Sequence, residues 1–147
     1  MAIDSTLPVR KAILTALKND AAVIELLPAA NIYPQRGPTN PDWPFGRYEN
    51  YGQATPIVAT CLDGQEINVR FHVFAKPREV AGLTVETAED HTCRIMARVS
   101  AALDRRRFKI DRGHFYISWT GSYLLPDGDE ADAFHGICSM RIRAMTV

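Results

Sequence analysis

Four histidines (His72, His91, His114, His135), three cysteines (Cys61, Cys93, Cys138) and an acidic run at residues 127–132 are the side chains here that could do chemistry. Histidine and thiolate can share a metal, or act together as base and nucleophile. Either use needs the groups clustered, and these are dispersed. The cysteines are odd in number, widely spaced and flanked by apolar residues. They read as free thiols packed as small buried hydrophobes, with no disulfide framework and no zinc site. The histidines fall on separate predicted elements without a close acid or cysteine pattern, so each reads as a polar-face or structural residue. His91 and Cys93 are two apart on a predicted helix, point to different faces and cannot share a metal. A calcium loop starting at Asp127 would need glycine sixth and glutamate twelfth, where Asp132 and Cys138 stand. The acidic run is therefore a solvated loop, or a charged contact with another subunit or partner. GxSxG, Walker, HExxH and GxGxxG signatures are absent. No catalytic residue, cofactor site or metal site is assigned, and the chain reads as a non-enzyme.

The elements that would position these residues follow from periodicity and punctuation. Ser5-Thr6-Leu7-Pro8 predicts a helix start with a hydroxyl cap and an early proline. Val9, Ile13, Leu14 and Leu17 continue at helical spacing, and Asn19-Asp20 ends the run. Residues 21–27 predict a broken helical turn stopping at Pro28. Pro34, Pro38, Pro41 and Pro44 forbid a regular element across residues 34–44, a loop long enough to suggest function. Residues 45–51 and 56–62 predict strands, with Asp63-Gly64 as a hairpin turn into a third. In that third strand Ile67, Val69, Phe71, Val73 and Ala75 alternate with Glu66, Asn68, Arg70 and His72, giving one apolar and one wet face.

From residue 84 to residue 103 the period becomes helical, with Thr84 as the cap and Val85, Ala88, Ile95 or Met96, Val99 and Leu103 as the stripe. Arg105, Arg106 and Arg107 then sit where a helix end favours positive charge. Phosphate contact is the sharper alternative for that run. Residues 115–125 and 133–147 predict two closing strands joined by the acidic loop. In the first, Phe115, Ile117, Trp119 and Tyr123 share one face; in the second, Phe134, Cys138, Met140, Ile142 and Ala144 do. The expected fold is α+β: a single domain over residues 1–147, with an antiparallel sheet of four to five strands and two α-helices packed on one face.

Composition narrows the class of function. The 147 residues are 46% apolar and 23% charged, a globular balance, and 17 basic residues offset 17 acidic ones. A free nucleic-acid binder normally shows a basic excess. No apolar run approaches the roughly 18 residues of a membrane span, and the early Asp4 argues against a secretory leader. The expectation is a soluble intracellular domain with no membrane partner.

Several stretches together resemble the phage tail-completion, or tail-terminator, family of tail-to-head joining proteins. They are residues 10–14 through Leu27-Pro28, Ile32-Tyr33 with the proline-rich loop ending Trp43-Pro44-Phe45, residues 66–75, Val99-Ser100-Ala101-Ala102-Leu103, and residues 134–143. The resemblance covers nearly the whole chain in element order, with a longer, more proline-rich loop after Tyr33. It implies a ring, usually of six subunits, that caps the tail tube and docks the head connector or neck. DNA would meet it only in passage, and it would reside in the virion. The geometry is consistent. A domain of this size is about 40 Å across, so six in a ring leave a hole of about 40 Å and three leave about 6 Å. A duplex is about 20 Å across.

Balanced charge suits such a conduit, because a strongly basic lining would hold DNA. Asp127, Asp129, Glu130 and Asp132 are candidates for an acidic channel or contact loop. Ring closure needs two unlike surfaces on each subunit. Trp43, Phe45, Tyr48 and Tyr51 are candidates for one, or else pack beneath their own loop; an exposed sheet edge is a candidate for the other. The competing readings are a neck or head-closure protein, a small-ligand-binding α+β dimer, and an independent DNA-binding module.

Overall fold

A computed structural model describes residues 3–59 and 62–146; Cys61 lies outside them. The elements run α1 (Thr6–Asn19), α2 (Ala21–Ile24), a 3₁₀ turn (Ala29–Asn31), β1 (Ile32–Tyr33), β2 (Phe45–Asn50), β3 (Thr55–Ala59) and β4 (Leu62–Ala75). There follow β5 (Arg78–Val80), β6 (Leu83–Glu86), α3 (Ala88–Leu103), β7 (Arg107–Ile110), β8 (Gly113–Pro126) and β9 (Phe134–Thr146). The fold is α+β.

The main sheet has seven strands, more than the four to five expected, in the order β1-β2-β4-β9-β8-β7 with β3 also paired to β4. It is mixed, because β1 runs parallel to β2. The additional strands β1 and β7 have two and four residues, too short for periodicity to announce them. Strands β5 and β6 form a separate hairpin.

One core lies between the sheet and the helices. Val9, Ile13 and Leu17 of α1 and Ile95, Val99 and Leu103 of α3 meet Val69, Phe71, Ile117 and Ile142 of the sheet, all fully buried. Gly136 permits the close approach of α3: a Cβ there would stand 2.9 Å from the Thr92 Cγ2.

Local chemistry explains where elements begin differently from expectation. At α1 the Ser5 hydroxyl makes no cap; the Asp4 Oδ1 accepts from the Thr6 N–H at 2.9 Å. Asp63-Gly64 is not a turn but lies inside β4, paired with both β3 and β9. Residues 84–86 belong to β6, because Ala81 and Gly82, at φ 52° and 78°, close a tight turn that suits a hairpin. Thr87 caps α3 instead of Thr84, its Oγ1 accepting from the Asp90 N–H at 3.1 Å. The basic run does not extend the helix end: Arg105 turns at φ 58°, and Arg107 starts β7. Only Arg106 reaches back, donating to the Ala102 carbonyl at 3.0 Å.

In β8 the register slips between Trp119 and Gly121, leaving Thr120 as an extra residue. A one-residue slip exchanges the faces of everything beyond it. Ser122 now pairs with Cys138 on the helix side, and Tyr123 pairs with Ile137 on the other. The expected shared face of Phe115, Ile117, Trp119 and Tyr123 is thus broken at the bulge. Strand β7 pairs only with Gly113–Tyr116, so among the described residues no strand flanks β8 beyond the Ile117–Arg106 bond.

Candidate functional site

On the sheet face away from the helices, rings replace water at one end, while Arg141 and Arg143 keep the other end exposed. Strand register explains why: β2 sets Phe45 opposite Phe74, Arg47 opposite His72 and Glu49 opposite Arg70, while β9 sets His135 beside Phe74. Their rings form a row across three strands. Trp43 meets Phe45 edge-on at 4.9 Å, Phe45 stacks on Phe74 at 4.7 Å, and Phe74 stacks on His135 at 4.2 Å. His135 stacks in turn on His72 at 5.0 Å. The Lys76 ammonium lies 4.7 Å from the Trp43 ring centre, and the Arg47 guanidinium 6.0 Å from that of Phe74.

A hydrogen-bond chain runs along the end of this row. The His72 Nε2 bonds Glu49, and its Nδ1 lies 2.8 Å from the His135 Nε2. Donation to a carboxylate assigns the proton to Nε2 of His72, so Nδ1 accepts from His135. His72 is 5% exposed. Burial lowers the pKa of both imidazoles, and for His135 the neighbouring His72 and Arg47 add to it, bringing it to about 4. Burial acts to raise the Glu49 carboxyl, but the His72 bond and the Arg47 and Arg70 charges outweigh it and hold the group below its usual range. The chain is therefore neutral imidazole on carboxylate near pH 7. It lines neither of two open grooves. The larger, about 700 Å³, lies between α1 and β7 against Ala12, Ala16 and Phe108. The second, about 330 Å³, lies between α2 and the base of the β5–β6 hairpin.

The four aromatics singled out in the sequence do not form one patch. Trp43 and Phe45 join the ring row. Tyr51 lies under the Arg70 guanidinium, 3.9 Å from its ring centre. Tyr48 points the other way, 2% exposed in the core beneath Arg10, and burial pushes its phenol pKa upward. The acidic loop is the β8–β9 tip, closed by the Asp127 N–H donating to the Ala133 carbonyl at 2.9 Å. Asp129, Glu130 and Asp132 are exposed there; Asp127 is half-buried and accepts from the Asp129 N–H. Glu130 also stands 3.5 Å from Lys76. The histidines depart from expectation, since His72 and His135 meet each other and an acid; only strand register brings them together. His91 is structural, with its Nδ1 2.9 Å from the Lys76 carbonyl. The thiols divide: Cys138 is buried, which pushes its pKa up to about 11, whereas Cys93 is exposed because it lies off the buried stripe of α3.

Residues 11–145 match the family described as tail completion protein gp17. The chain belongs to that family. It is a structural protein of a phage tail, and its place is in the virion. A comparison with curated proteins finds no match. In fold, this tail completion protein is similar to a chain in the solved virion of a native gene transfer agent (GTA) particle. The TM-score is 0.76 at 15% identity, over 98% of this chain and 99% of that one.

For a tail protein the surfaces that matter are those left uncovered, and the sequence reading missed one of them. Val80, Leu83 and Val85 of the β5–β6 hairpin are exposed, Leu83 at 72%. The signal was present in Ala81-Gly82 followed by Thr84-Val85, a turn pair before β-branched residues. Another is the edge of β8, where Trp119, Tyr123 and Leu125 are exposed, Tyr123 at 64%.

Proposed function

We propose that this tail completion protein closes the finished tail tube as a ring of about six copies and offers the surface on which the head connector docks. The observation that carries this reading is the family match over residues 11–145. Two features of the chain support it. Its 17 basic and 17 acidic residues balance, which suits a collar that DNA passes through without being held. Its acidic tip, with Asp129, Glu130 and Asp132 exposed, forms the channel or contact loop. Trp43 and Phe45 stiffen the far face, and Tyr51 lies at its margin, where a tube or connector protein meets the ring. Deleting the gene from the particle-producing genome tests the reading. The expected result is tails of uncontrolled length that fail to join filled heads. Normal infectious particles from the deletion would overturn it.

A further inference from the structure

Two of the surfaces left uncovered complement each other. The first is the edge of β8. From Thr120 to Pro126 no strand pairs with it among the described residues, and Tyr123 and Leu125 stand exposed along it. Such an edge presents a row of unpaired backbone groups to another chain. The second is the β5–β6 hairpin. A two-stranded hairpin is marginal by itself in water, and this one exposes Val80, Leu83 and Val85. Its base shares a groove with Trp43 and Pro44, which places it on the β2 side of the sheet, whereas β8 lies across β9 on the other side. One chain thus carries a protruding apolar hairpin and a receptive strand edge on opposite flanks. That is the requirement of a head-to-tail contact.

The charges match in the same sense. At the start of α3, Glu89 and Asp90 are exposed; where β7 leaves the edge of β8 uncovered, Arg106 and Arg107 are exposed, and the other end of that edge runs into the acidic tip. None of these four side chains makes an ion pair among the described residues. Lengths also agree. The open edge spans about 24 Å and the four residues of β6 about 14 Å, at about 3.4 Å per residue.

We propose that β6 of one copy adds along the open edge of β8 in the next copy, with Leu83 seated against Tyr123 and Leu125. With β6 antiparallel to β8, Glu89 and Asp90 at the start of α3 then face Arg106 and Arg107 of the neighbour. Because each copy donates on one flank and accepts on the other, the contact propagates until a ring closes. The inference rests on the ring reading and names the surfaces that make it.

Disulfide trapping tests it in the full chain, with Cys93 replaced by serine to remove an exposed thiol. Leu83→Cys and Tyr123→Cys together should give, on oxidation of assembled particles or of rings on purified tail tubes, a ladder of covalent multimers ending at the closed ring. Either cysteine alone should give none. Rings visible by electron microscopy with no ladder would overturn the contact while leaving the ring reading intact. Monomers alone, free and on tubes, would overturn both. Leu83→Glu and Leu125→Glu supply a second measurement, since both residues are exposed and circular dichroism can verify folding. Each variant should weaken self-association about 30-fold or more, as loss of an interface anchor does. Mixed together they should form one-to-one heterodimers and nothing larger, because one intact hairpin and one intact edge remain. Rings formed by folded Leu83→Glu protein would also overturn the proposal.

Discussion

Phe71 and Phe74 stand three residues apart on β4 and face opposite sides of one sheet. Phe71 is fully buried under the helices, among aliphatic side chains of α1 and α3. Phe74 is half-buried between Phe45 and His135, with a guanidinium above it and solvent at its margin. The helix-covered face is held by excluded water and close packing, which are indifferent to pH. The far face is held by flat rings, cations and a histidine–carboxylate chain, whose strength depends on protonation. One strand therefore carries a rigid interior on one side and a titratable skin on the other.

The largest break in this comparison comes from Phe71→Ala, which should cost about 3–5 kcal/mol by urea unfolding, because helices and sheet cannot both close on the void. A loss below about 1 kcal/mol would place the core elsewhere. Phe74→Ala should cost about 1–2 kcal/mol, the ring contacts plus a modest buried area. If the two substitutions cost the same, the faces are not different in kind.

Acid should separate the faces without mutation. His135 has a folded pKa of about 4, below its ordinary value, and that of His72 is lowered too. An imidazole held neutral in the fold takes up protons more readily once unfolded, so unfolding is favoured as pH falls. The urea midpoint should therefore drop between about pH 6.5 and pH 4, the ordinary imidazole value and the folded one. The depressed Glu49 carboxyl pulls in the same direction, but only below its own ordinary value. His135→Phe keeps a ring against Phe74 and removes one titrating group, so the drop across that window should shrink. An undiminished drop would mean that another group titrates.

Legibility in the sequence follows the same division. The core face was written in plain periodicity: Ile67, Val69, Phe71 and Val73 alternate, and Ile95, Val99 and Leu103 recur at helical spacing, and all are buried. The far face was not. His72 and His135 are 63 residues apart, and only the β4–β9 register makes them neighbours. Tyr48 and Phe45 look alike in sequence, yet the parity of β2 sends one to the core and the other to the ring row. The bulge at Thr120 is one unpaired residue without proline or a hairpin signature, and it exchanged the faces of Ser122 and Tyr123. Residues 78–86 hid a hairpin because Val85 happens to fall on the helical stripe of α3. Of the hairpin, residues 84–86 had been absorbed into the predicted helix.

The smallest expected effect belongs to the region that joins neither face. Val80 is exposed on the hairpin, outside the core cluster and away from the ring row. Val80→Ser removes apolar surface that solvent already reaches, so in the dilute monomer its cost should stay within about 0.5 kcal/mol. The hairpin keeps its own anchors, since Arg78 and Arg94 both reach Glu86, at 3.6 and 2.8 Å. If the hairpin seats on a neighbour's strand edge as proposed, assembly should respond where monomer stability does not. A loss above about 1 kcal/mol in the monomer would instead show the hairpin folded against its own domain, and the two-face description would need a third packed surface.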